Sequence, residues 1–355
     1  MAVLQHLTRL RPDLSLTIRT QAPAFLFEEV EGDVELRPGV FDHGMVQEGP
    51  LIVDVERTLE QVHALMLSGA AIVEGEVEQF GGGDVVACVA DIPAIGCLVG
   101  QGLGVPTFGL GNFDWCWIYE AYREAHPGFG PIIEWMWNAY QAADGAFRPP
   151  MHCGLKAFTR VWDVPLIVRQ TSLSRDSVLE KLRIPLGTRH VILVSSGGFE
   201  PARMQPPDIG PDSGVHIISC IPLPGAKNVT ILPRNLPISH PDLVEAADLV
   251  IGKLGYGTLA ECAASGTAIL YPGRLGFREH PILETFAREN LDCAVFDAED
   301  FTAGRWASAV KRVLDNRTRT TRADASGASR VAGALLRSID GQWSPDAPLP
   351  SPGRS

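Results

Sequence analysis

The residues best suited to chemistry lie in one stretch of the second half of the chain, where a short apolar run leads into a glycine-rich turn. The run Leu249–Gly252 predicts a buried strand, and a helix is predicted to begin at about Thr258. Gly255, Tyr256 and Gly257 lie between them. Glycines let a backbone approach a ligand closely, and the amide groups at the start of a helix attract a diphosphate. This stretch therefore predicts a binding site for a diphosphate group.

An acidic residue follows the glycine-rich turn within the predicted helix. Glu261 lies about one helical turn beyond Thr258, so it can face the same ligand. A carboxylate in that place suits the paired hydroxyl groups of a ribose. The same residue types at this spacing also form a capping box, in which Thr258 and Glu261 only stabilise the start of the helix. The sequence leaves both interpretations open.

Two further loops follow predicted strands in the same half. Gly197 and Gly198 come soon after the strand His190–Ser195, and Arg278 and Glu279 follow a later apolar strand. Ligands gather at the carboxyl ends of the strands in an open parallel sheet, so we expect these loops to converge on one site. The alternatives are an ordinary glycine turn and a charged loop that caps the next helix.

Polar side chains also follow two strands of the first half. Asp91 follows the strand predicted at 85–90, and Asn112 and Asp114 follow the strand predicted at 105–110. A carboxylate there can serve as a general base. We predict Asp91 or Asp114 for this role, with Asn112 at the same edge of the sheet. The alternative for Asp114 is a helix cap, with the tryptophans after it packed in the core.

Short β-branched runs alternate with helical stretches along the chain, which predicts an α/β fold with parallel sheets. We predict a Rossmann-like domain at residues 1–165, a second one at 166–340 and a disordered tail at 341–355. A last helix at 326–339 carries an apolar stripe that is expected to pack back toward the first domain. The other helices are predicted at residues 55–67, 95–103, 131–142, 241–247, 280–290 and 303–315, and the glycines at 81–83 are expected to end the extended helical region after the first of these.

The start of the chain differs from an ordinary Rossmann-type domain. Residues 3–11 predict a helix and residues 14–20 a strand. Such a domain normally begins with a strand and a glycine-rich turn before its first helix. We therefore expect the N-terminal sheet to lack its first central strand.

Composition and charge narrow the class of protein. The chain has 355 residues, 45% of them hydrophobic, and a formal net charge of −12. Such an acidic chain repels a phosphate backbone, so nucleic acid is not an expected partner. No apolar run approaches the ~18 residues of a membrane span, and the first residues do not resemble a signal peptide. The seven cysteines form no Cys-x-x-Cys pair, which favours reduced thiols in the cytoplasm and no metal or other cofactor.

The order of the second-half motifs resembles that of GT-B glycosyltransferases, among them the relatives of the bacterial enzyme that adds N-acetylglucosamine to lipid-linked muramyl peptide. The shared pattern includes Gly-Tyr-Gly-Thr-x-x-Glu, with Tyr-Pro-Gly and Arg-Glu-His-Pro after it. The resemblance implies a GT-B fold of two Rossmann-like domains with a cleft between them. It implies a diphosphate role for Gly255 to Thr258 and for Gly197 and Gly198. It also implies a ribose role for Glu261 and a donor-sugar contact for Glu279. Arg278 would stabilise the leaving diphosphate in place of a metal.

The first half adds a narrower resemblance. Ala-Asp-Ile-Pro at 90–93, Gly-Val-Pro at 104–106 and Gly-Asn-Phe-Asp-Trp at 111–115 resemble the glycosyltransferase-like segment of plant-type L-arabinose kinases and its free-standing bacterial relatives. The resemblance covers roughly residues 1–335. The loop Pro-x-x-x-Gly-Leu-Ser-Ser of the accompanying kinases does not occur in this sequence, so a kinase function is not implied.

These resemblances imply transfer of a hexosyl group from a nucleotide diphosphate sugar to an acceptor hydroxyl on a small or lipid-linked molecule. In such a transfer Asp91 or Asp114 would deprotonate the acceptor hydroxyl, and Asn112 would lie on the acceptor side. Two alternatives stay open. One is a regulatory protein that binds a nucleotide sugar without turnover. The other is a nucleotide-sugar epimerase of the same fold, which uses the donor loops without an acceptor.

Overall fold

The computed structural model describes residues 1–48, 52–195, 205–223, 225–233, 238–273, 277–318 and 321–349. The chain divides into two compact units. Unit 1 comprises Met1–Val46, Val53–Ile167 and the chain from Ser326 onward, and unit 2 comprises Gln47–Ile52 and Val168–Ala325.

Both units contain strands and helices. The strands are β1 (Ser15–Arg19), β2 (Asp33–Arg37), β3 (Gln47–Glu48), β4 (Ile52–Val53), β5 (Cys88–Ala90), β6 (Thr107–Leu110), β7 (Gly145–Arg148), β8 (Val161–Asp163), β9 (His190–Ser195), β10 (Val215–Ser219), β11 (Val229–Ile231), β12 (Leu249–Gly252), β13 (Ala268–Pro272) and β14 (Cys293–Phe296). The helices are α1 (Ala2–Leu10), α2 (Val55–Phe80), α3 (Ala94–Leu103), α4 (Trp115–Glu120), α5 (Phe129–Tyr140), α6 (Arg175–Lys181), α7 (His240–Ala246), α8 (Tyr256–Ser265), α9 (His280–Asn290), α10 (Ala298–Thr302), α11 (Ala307–Asp315) and α12 (Gly327–Ile339).

Unit 2 is built on a parallel sheet whose described strands follow the order β11-β10-β9-β12-β13-β14. If the six strands of this sheet are numbered from β9 as strand 1, their order is 3-2-1-4-5-6, which is that of a Rossmann-type sheet. Strands β12 and β13 are buried along their whole length, as expected for apolar strands covered on both faces. The strand order reverses between β9 and β12. In such a fold the ligand crevice lies at the carboxyl ends of these two strands, next to Ser195 and Gly252.

Gly252 allows β9 and β12 to lie side by side at this edge. It pairs with Ser195, and a Cβ atom added at position 252 would clash with the carbonyl oxygen of Ser195. The edge of the crevice therefore requires a residue without a side chain at this position.

Unit 1 contains a four-stranded parallel sheet, β5-β6-β7-β8, and a separate parallel pair, β1 with β2. Helix α3 packs against α2, α5 and β5. Among the strands that the structure describes, β5 pairs only with β6, and β1 pairs only with β2. Both units thus have the parallel α/β character that the sequence predicts.

Helix α12 lies in unit 1, which confirms the expected packing of its apolar stripe. Val331 and Leu335 are buried in the core of that unit, and α12 packs against α1. The assignment of all residues from 166 to 340 to one domain is therefore wrong at its C-terminal end. The physical reason is that the apolar stripe packs against residues of α1 and of the sheet β5-β6-β7-β8.

The prediction of a disordered tail is wrong for residues 341–349. Trp343 is buried, and its ring stacks on Phe108 and meets Trp162 edge to face. Its indole nitrogen donates to the carbonyl oxygen of Pro348. Burial of the large indole ring lowers the free energy of the folded chain, and this gain outweighs the conformational entropy that the flanking prolines and serines lose when they become ordered. Residues 350–355 lie outside the described residues.

Glycines account for the bounds of two helices. Helix α2 runs from Val55 to Phe80 and ends at Gly81, as expected for the helical region, and it passes Gly69, where the ring of Trp135 occupies the space of a side chain. The helix predicted at 303–315 begins only at Ala307. Gly304 adopts a φ of +71°, a left-handed conformation that separates α10 from α11. Within the described residues, no helix is both long enough and apolar enough to cross a membrane.

Candidate functional site

The start of helix α8 offers a backbone surface to a ligand. Gly255 is its N-terminal cap residue, in an extended conformation with φ −138° and ψ 152°, and has no side chain to cap the helix. Apart from the chain neighbours and the backbone of the helix, no atom of the described residues lies within 4 Å of the position that a Cβ would take at Gly255 or Gly257. Together with Tyr256 and Thr258 they form the first turn, so a ligand can approach this backbone closely. A helix start of this kind suits a phosphate group.

The capping-box interpretation of Thr258 and Glu261 is wrong. The helix begins at Tyr256 rather than Thr258, because Gly255 takes the cap position without a side chain. Thr258 lies inside the helix, and the carboxylate of Glu261 bonds to side chains outside it.

Glu261 instead belongs to a network of side chains in unit 2. It is only 7% exposed. Its Oε2 lies 2.6 Å from Nδ1 of His240, and its Oε1 accepts a hydrogen bond of 3.2 Å from Nη2 of Arg169. The other ring nitrogen of His240, Nε2, lies 2.9 Å from Oγ of Ser195. The network joins the end of β9 to helix α8.

The tautomer of His240 follows from its partners. A carboxylate only accepts hydrogen bonds, so Nδ1 must carry the proton that it donates to Glu261. In the neutral ring Nε2 is then an acceptor, and the hydroxyl of Ser195 donates to it.

A cavity of about 410 Å³ adjoins this network within unit 2. This volume lies in the ~300–1,000 Å³ range of small-molecule pockets. Its lining includes Glu261 and Arg169, and also Glu245, which pairs with Arg322. The remaining lining residues are Val168, Gln170, Thr171, Pro241, Ala264, Ser265 and Ala325. The cavity is polar enough to bind a hydroxylated ligand and holds both charges of two ion pairs.

The other second-half candidates lie at the same edge of the sheet, as far as the structure describes them. Glu279 comes after β13, immediately before α9, and is buried, while Arg278 beside it is half-buried. The side chain of Glu279 does not cap α9, which counts against the interpretation of this loop as a mere helix cap. Gly197 and Gly198 lie outside the described residues.

In unit 1, Asp91 follows β5 and precedes a strained residue. Ile92 has a φ of +79°, which is rare for a β-branched side chain. The hydroxyl of Tyr140 donates a 2.8 Å hydrogen bond to the Ile92 carbonyl oxygen and holds this turn. Strain of this kind is found at functional sites.

The carboxyl group of Asp91 has a raised pKa. Asp91 is exposed, yet the protein atoms around its carboxyl group raise its pKa; the positive charge of the amino terminus lowers the pKa, and the carboxylate of Asp42 raises it. Burial also raises the pKa of Asp42, although its Oδ2 accepts a 3.1 Å hydrogen bond from the indole nitrogen of Trp115. Asp91 and Asp42 thus form a pair of carboxyl groups that hold protons more tightly than ordinary aspartates.

Asp114 serves the local structure, as its alternative interpretation proposed. It is 2% exposed, and its Oδ1 accepts a 2.8 Å hydrogen bond from the backbone amide of Trp117 at the start of α4. Its Oδ2 lies 3.7 Å from the sulfur of Cys153, a thiol whose pKa is raised to about 11 by burial and by this carboxylate. Trp115 is buried and stacks on Tyr119.

Asn112 also makes a structural contact. Its Nδ2 donates a 3.0 Å hydrogen bond to the carbonyl oxygen of Met151 in the loop after β7. Both Asn112 and Asp91 lie at the carboxyl edge of the same parallel sheet, after neighbouring strands.

Sequence reasoning missed four residues of these two groups. They are Asp42 in unit 1 and Arg169, Ser195 and His240 in unit 2. His240 and Glu261 are 21 positions apart, so no motif links them. The available signal was Ser-His-Pro at 239–241, which marks a helix start and could have directed attention to the histidine.

Comparison with known proteins gives one curated relative and many similar structures. A scan against descriptions of protein families finds no match. L-arabinokinase from Arabidopsis thaliana is 29% identical over 322 residues, which cover 88% of this chain. The chain spans only 30% of the length of that protein.

The similar structures are glycosyltransferases. CalG4, the calicheamicin glycosyltransferase, has a TM-score of 0.57 at 15% identity and covers 97% of this chain and 91% of its own. The kitacinnamycin glycosyltransferase has a TM-score of 0.59 at 13% identity and covers 96% and 93%. UGT89C1 from Arabidopsis thaliana, complexed with UDP-L-rhamnose, has a TM-score of 0.55 at 13% identity and covers 97% and 92%. The chain therefore has the GT-B fold of two Rossmann-like domains, and it resembles the glycosyltransferases of this fold together with part of L-arabinokinase.

Proposed function

We propose that this protein is a glycosyltransferase that moves a hexosyl group from a nucleotide diphosphate sugar to an acceptor hydroxyl. The observation that carries the proposal is the position of Glu261 on α8, the helix that follows β12 at the switch point of a Rossmann-type sheet. Its carboxylate is connected through His240 to Ser195 at the carboxyl end of β9. A solved protein of the same fold, UGT89C1, is complexed with UDP-L-rhamnose, a nucleotide sugar.

The donor is assigned to unit 2. The diphosphate would bind the backbone amides from Gly255 to Thr258, and the ribose hydroxyls would donate to Glu261. Arg278 would neutralise the charge of the leaving diphosphate, and Glu279 would contact the donor sugar. The assignment of Gly197 and Gly198 to the phosphates rests on the resemblance.

Asp91 is the base that we assign to the reaction. The acceptor oxygen attacks the anomeric carbon, the bond from that carbon to the diphosphate oxygen breaks, and the hydroxyl proton passes to the carboxylate. The raised pKa of Asp91 suits this role, because a base is most efficient when its pKa approaches the working pH. Asp114 is less suited, since its carboxylate already caps α4.

Calorimetric titration with UDP tests the donor site. The matched pair of variants is Glu261→Gln and Glu245→Gln, two glutamates that line the same cavity and are each paired with an arginine. We expect Glu261→Gln to weaken binding by ~10- to 100-fold, equivalent to ~1–3 kcal/mol, and Glu245→Gln to change it little. If the two variants weaken UDP binding equally, Glu261 has no specific contact with the ribose. The same titration with GDP and dTDP shows whether the site prefers another base.

A panel of UDP-, GDP- and dTDP-sugars tests the reaction class. Release of nucleoside diphosphate when an acceptor is added supports the transferase, whereas interconversion of the sugar without an acceptor supports an epimerase. Binding without turnover supports a nucleotide-sugar-binding regulatory protein.

We also place the protein in a reducing compartment such as the cytoplasm. All seven cysteines are free thiols. Burial raises the pKa of Cys88 to about 11 and that of Cys97 to about 12, which keeps both thiols protonated and unreactive.

A further inference from the structure

His240 uses both nitrogens of its ring. Nδ1 donates to Oε2 of Glu261 at 2.6 Å, and Nε2 accepts from Oγ of Ser195 at 2.9 Å. Ser195 and Glu261 are both buried, with exposed fractions of 6% and 7%. Polar groups that are buried to this degree are costly unless they are paired, so the ring satisfies both of them at once.

The backbone around His240 is held firmly. It is the first residue of α7, whose cap residue Ser239 accepts a hydrogen bond from the amide of Asp242. Asp242 is 1% exposed, and its Oδ1 accepts from the backbone amides of Ser172 and Leu173 at 2.7 and 2.9 Å. The ring of His240 therefore starts from an anchored helix end rather than from a mobile loop.

The position of the ring connects the two ends of the assigned donor site. Ser195 is the last residue of β9, at the carboxyl edge of the sheet, where the diphosphate is expected. Glu261 lies on α8 beside the cavity. Without His240, Arg169 would be the remaining partner of the carboxylate within the described part of the chain, with Nη2 3.2 Å from Oε1, and the carboxylate would be free to turn toward that charge.

We propose that His240 is the positioning residue of the donor site. It fixes the plane of the Glu261 carboxylate so that the remaining lone pairs of the oxygens face two adjacent ribose hydroxyls, and it does not itself touch the nucleotide. This proposal rests on the proposed function, since it specifies how the same site selects a ligand that carries a ribose diol.

The test compares UDP with 2′,3′-dideoxy-UDP, which lacks both hydroxyls, on three variants of His240. The amide nitrogen of Asn can replace Nδ1 and donate to Glu261, whereas the amide oxygen of Gln can replace Nε2 and accept from the hydroxyl of Ser195. We expect the wild type to prefer UDP by ~10-fold or more, the gain from hydrogen bonds to a charged group. His240→Ala and His240→Gln should lose this preference, and His240→Asn should retain most of it.

A merely structural histidine would give a different result, because its loss would weaken the two ligands equally and leave their ratio unchanged. A His240→Ala variant that keeps the wild-type preference overturns the proposal. If that variant does not fold, the comparison of His240→Asn with His240→Gln decides, and equal preferences in the two overturn it. Wild-type protein that binds both ligands equally well overturns this proposal but leaves nucleotide binding intact, whereas a wild type that binds no nucleoside diphosphate overturns the proposed function as well.

Discussion

Asp114 illustrates how one carboxylate can resemble a catalytic residue and yet support a helix. Its bond to the Trp117 amide caps α4. We expect Asp114→Ala to lower the free energy of unfolding by ~1 kcal/mol, the usual loss for an N-terminal cap. Asp114→Asn should retain the cap and most of the stability. Chemical denaturation of both variants measures the difference, and an Asn variant that is stable but inactive would restore Asp114 as a candidate base.

Asp91 should make the stability of the protein depend on pH in a defined direction. Its pKa in the folded state is raised, so the folded chain holds this proton more tightly than the unfolded chain, in which the pKa is about 4. Stability therefore falls as pH rises from about 4 through the folded-state pKa. We expect Asp91→Asn to be more stable than the wild type at pH 7, with a difference that disappears below about pH 4.

Thermal unfolding of the two proteins across this pH range measures the effect of Asp91→Asn. Asp163 is the control, because its hydrogen bonds with Arg148 lower its pKa and give the opposite sign. The stability that Asp163 contributes is present above pH 4 and is lost as pH falls. A constant difference between Asp91→Asn and the wild type at every pH would show that the Asp91 carboxyl group is not perturbed.

At the scale of elements, two glycines close together in the chain should respond oppositely to alanine. A Cβ at Gly252 would clash with the Ser195 carbonyl oxygen, so Gly252→Ala should separate the ends of β9 and β12 and lower stability by ~3 kcal/mol. Gly257 lies within α8, and the described residues leave the position of its Cβ open, so Gly257→Ala should raise stability by ~0.5–1 kcal/mol.

Ligand binding separates the structural effect of Gly257 from its functional one. If the diphosphate approaches the first turn of α8, the added methyl group of Gly257→Ala should weaken UDP binding in a protein that has become more stable. Denaturation and calorimetric titration of the same sample measure both quantities. Unchanged affinity would place the diphosphate elsewhere.

The elements of unit 2 were the most predictable part of the fold. β9, β12 and β13 are near-continuous apolar runs, a pattern that burial on both faces imposes directly on the sequence. Helix bounds were less predictable where a glycine acts by its conformation. Gly255 caps α8 without a side chain, and Gly304 ends α10 with a positive φ.

The candidate site was predictable in its backbone and not in its side-chain network. The glycines before α8 and the acidic residue one turn into it form a local pattern that spacing reveals. The contacts of Glu261 with His240 and Arg169 depend on how α7 and the segment after Ile167 pack on α8, and they span 21 and 92 positions of sequence. Local periodicity carries no information about such pairs.

At the scale of the whole molecule, each unit has its own apolar core with a buried tryptophan. Trp343 belongs to the core of unit 1, although it lies in a stretch whose prolines and serines predict disorder. Trp306 belongs to the core of unit 2 and is completely buried. Each indole nitrogen donates a 3.0 Å hydrogen bond to a carbonyl oxygen five positions away, so the two side chains form a matched pair.

Alanine at these two positions should therefore destabilise different parts of the protein. Removal of a buried tryptophan costs ~3–5 kcal/mol. We expect Trp343→Ala to lower the temperature at which unit 1 unfolds and Trp306→Ala to lower that of unit 2. Scanning calorimetry measures the transitions, and hydrogen exchange with fragment analysis assigns them to residues of either unit. UDP, which is proposed to bind unit 2, should raise the temperature of the unfolding transition that Trp306→Ala lowers, and it should leave the temperature of the other transition unchanged. A single transition that both variants lower equally would show that the two cores unfold as one cooperative structure.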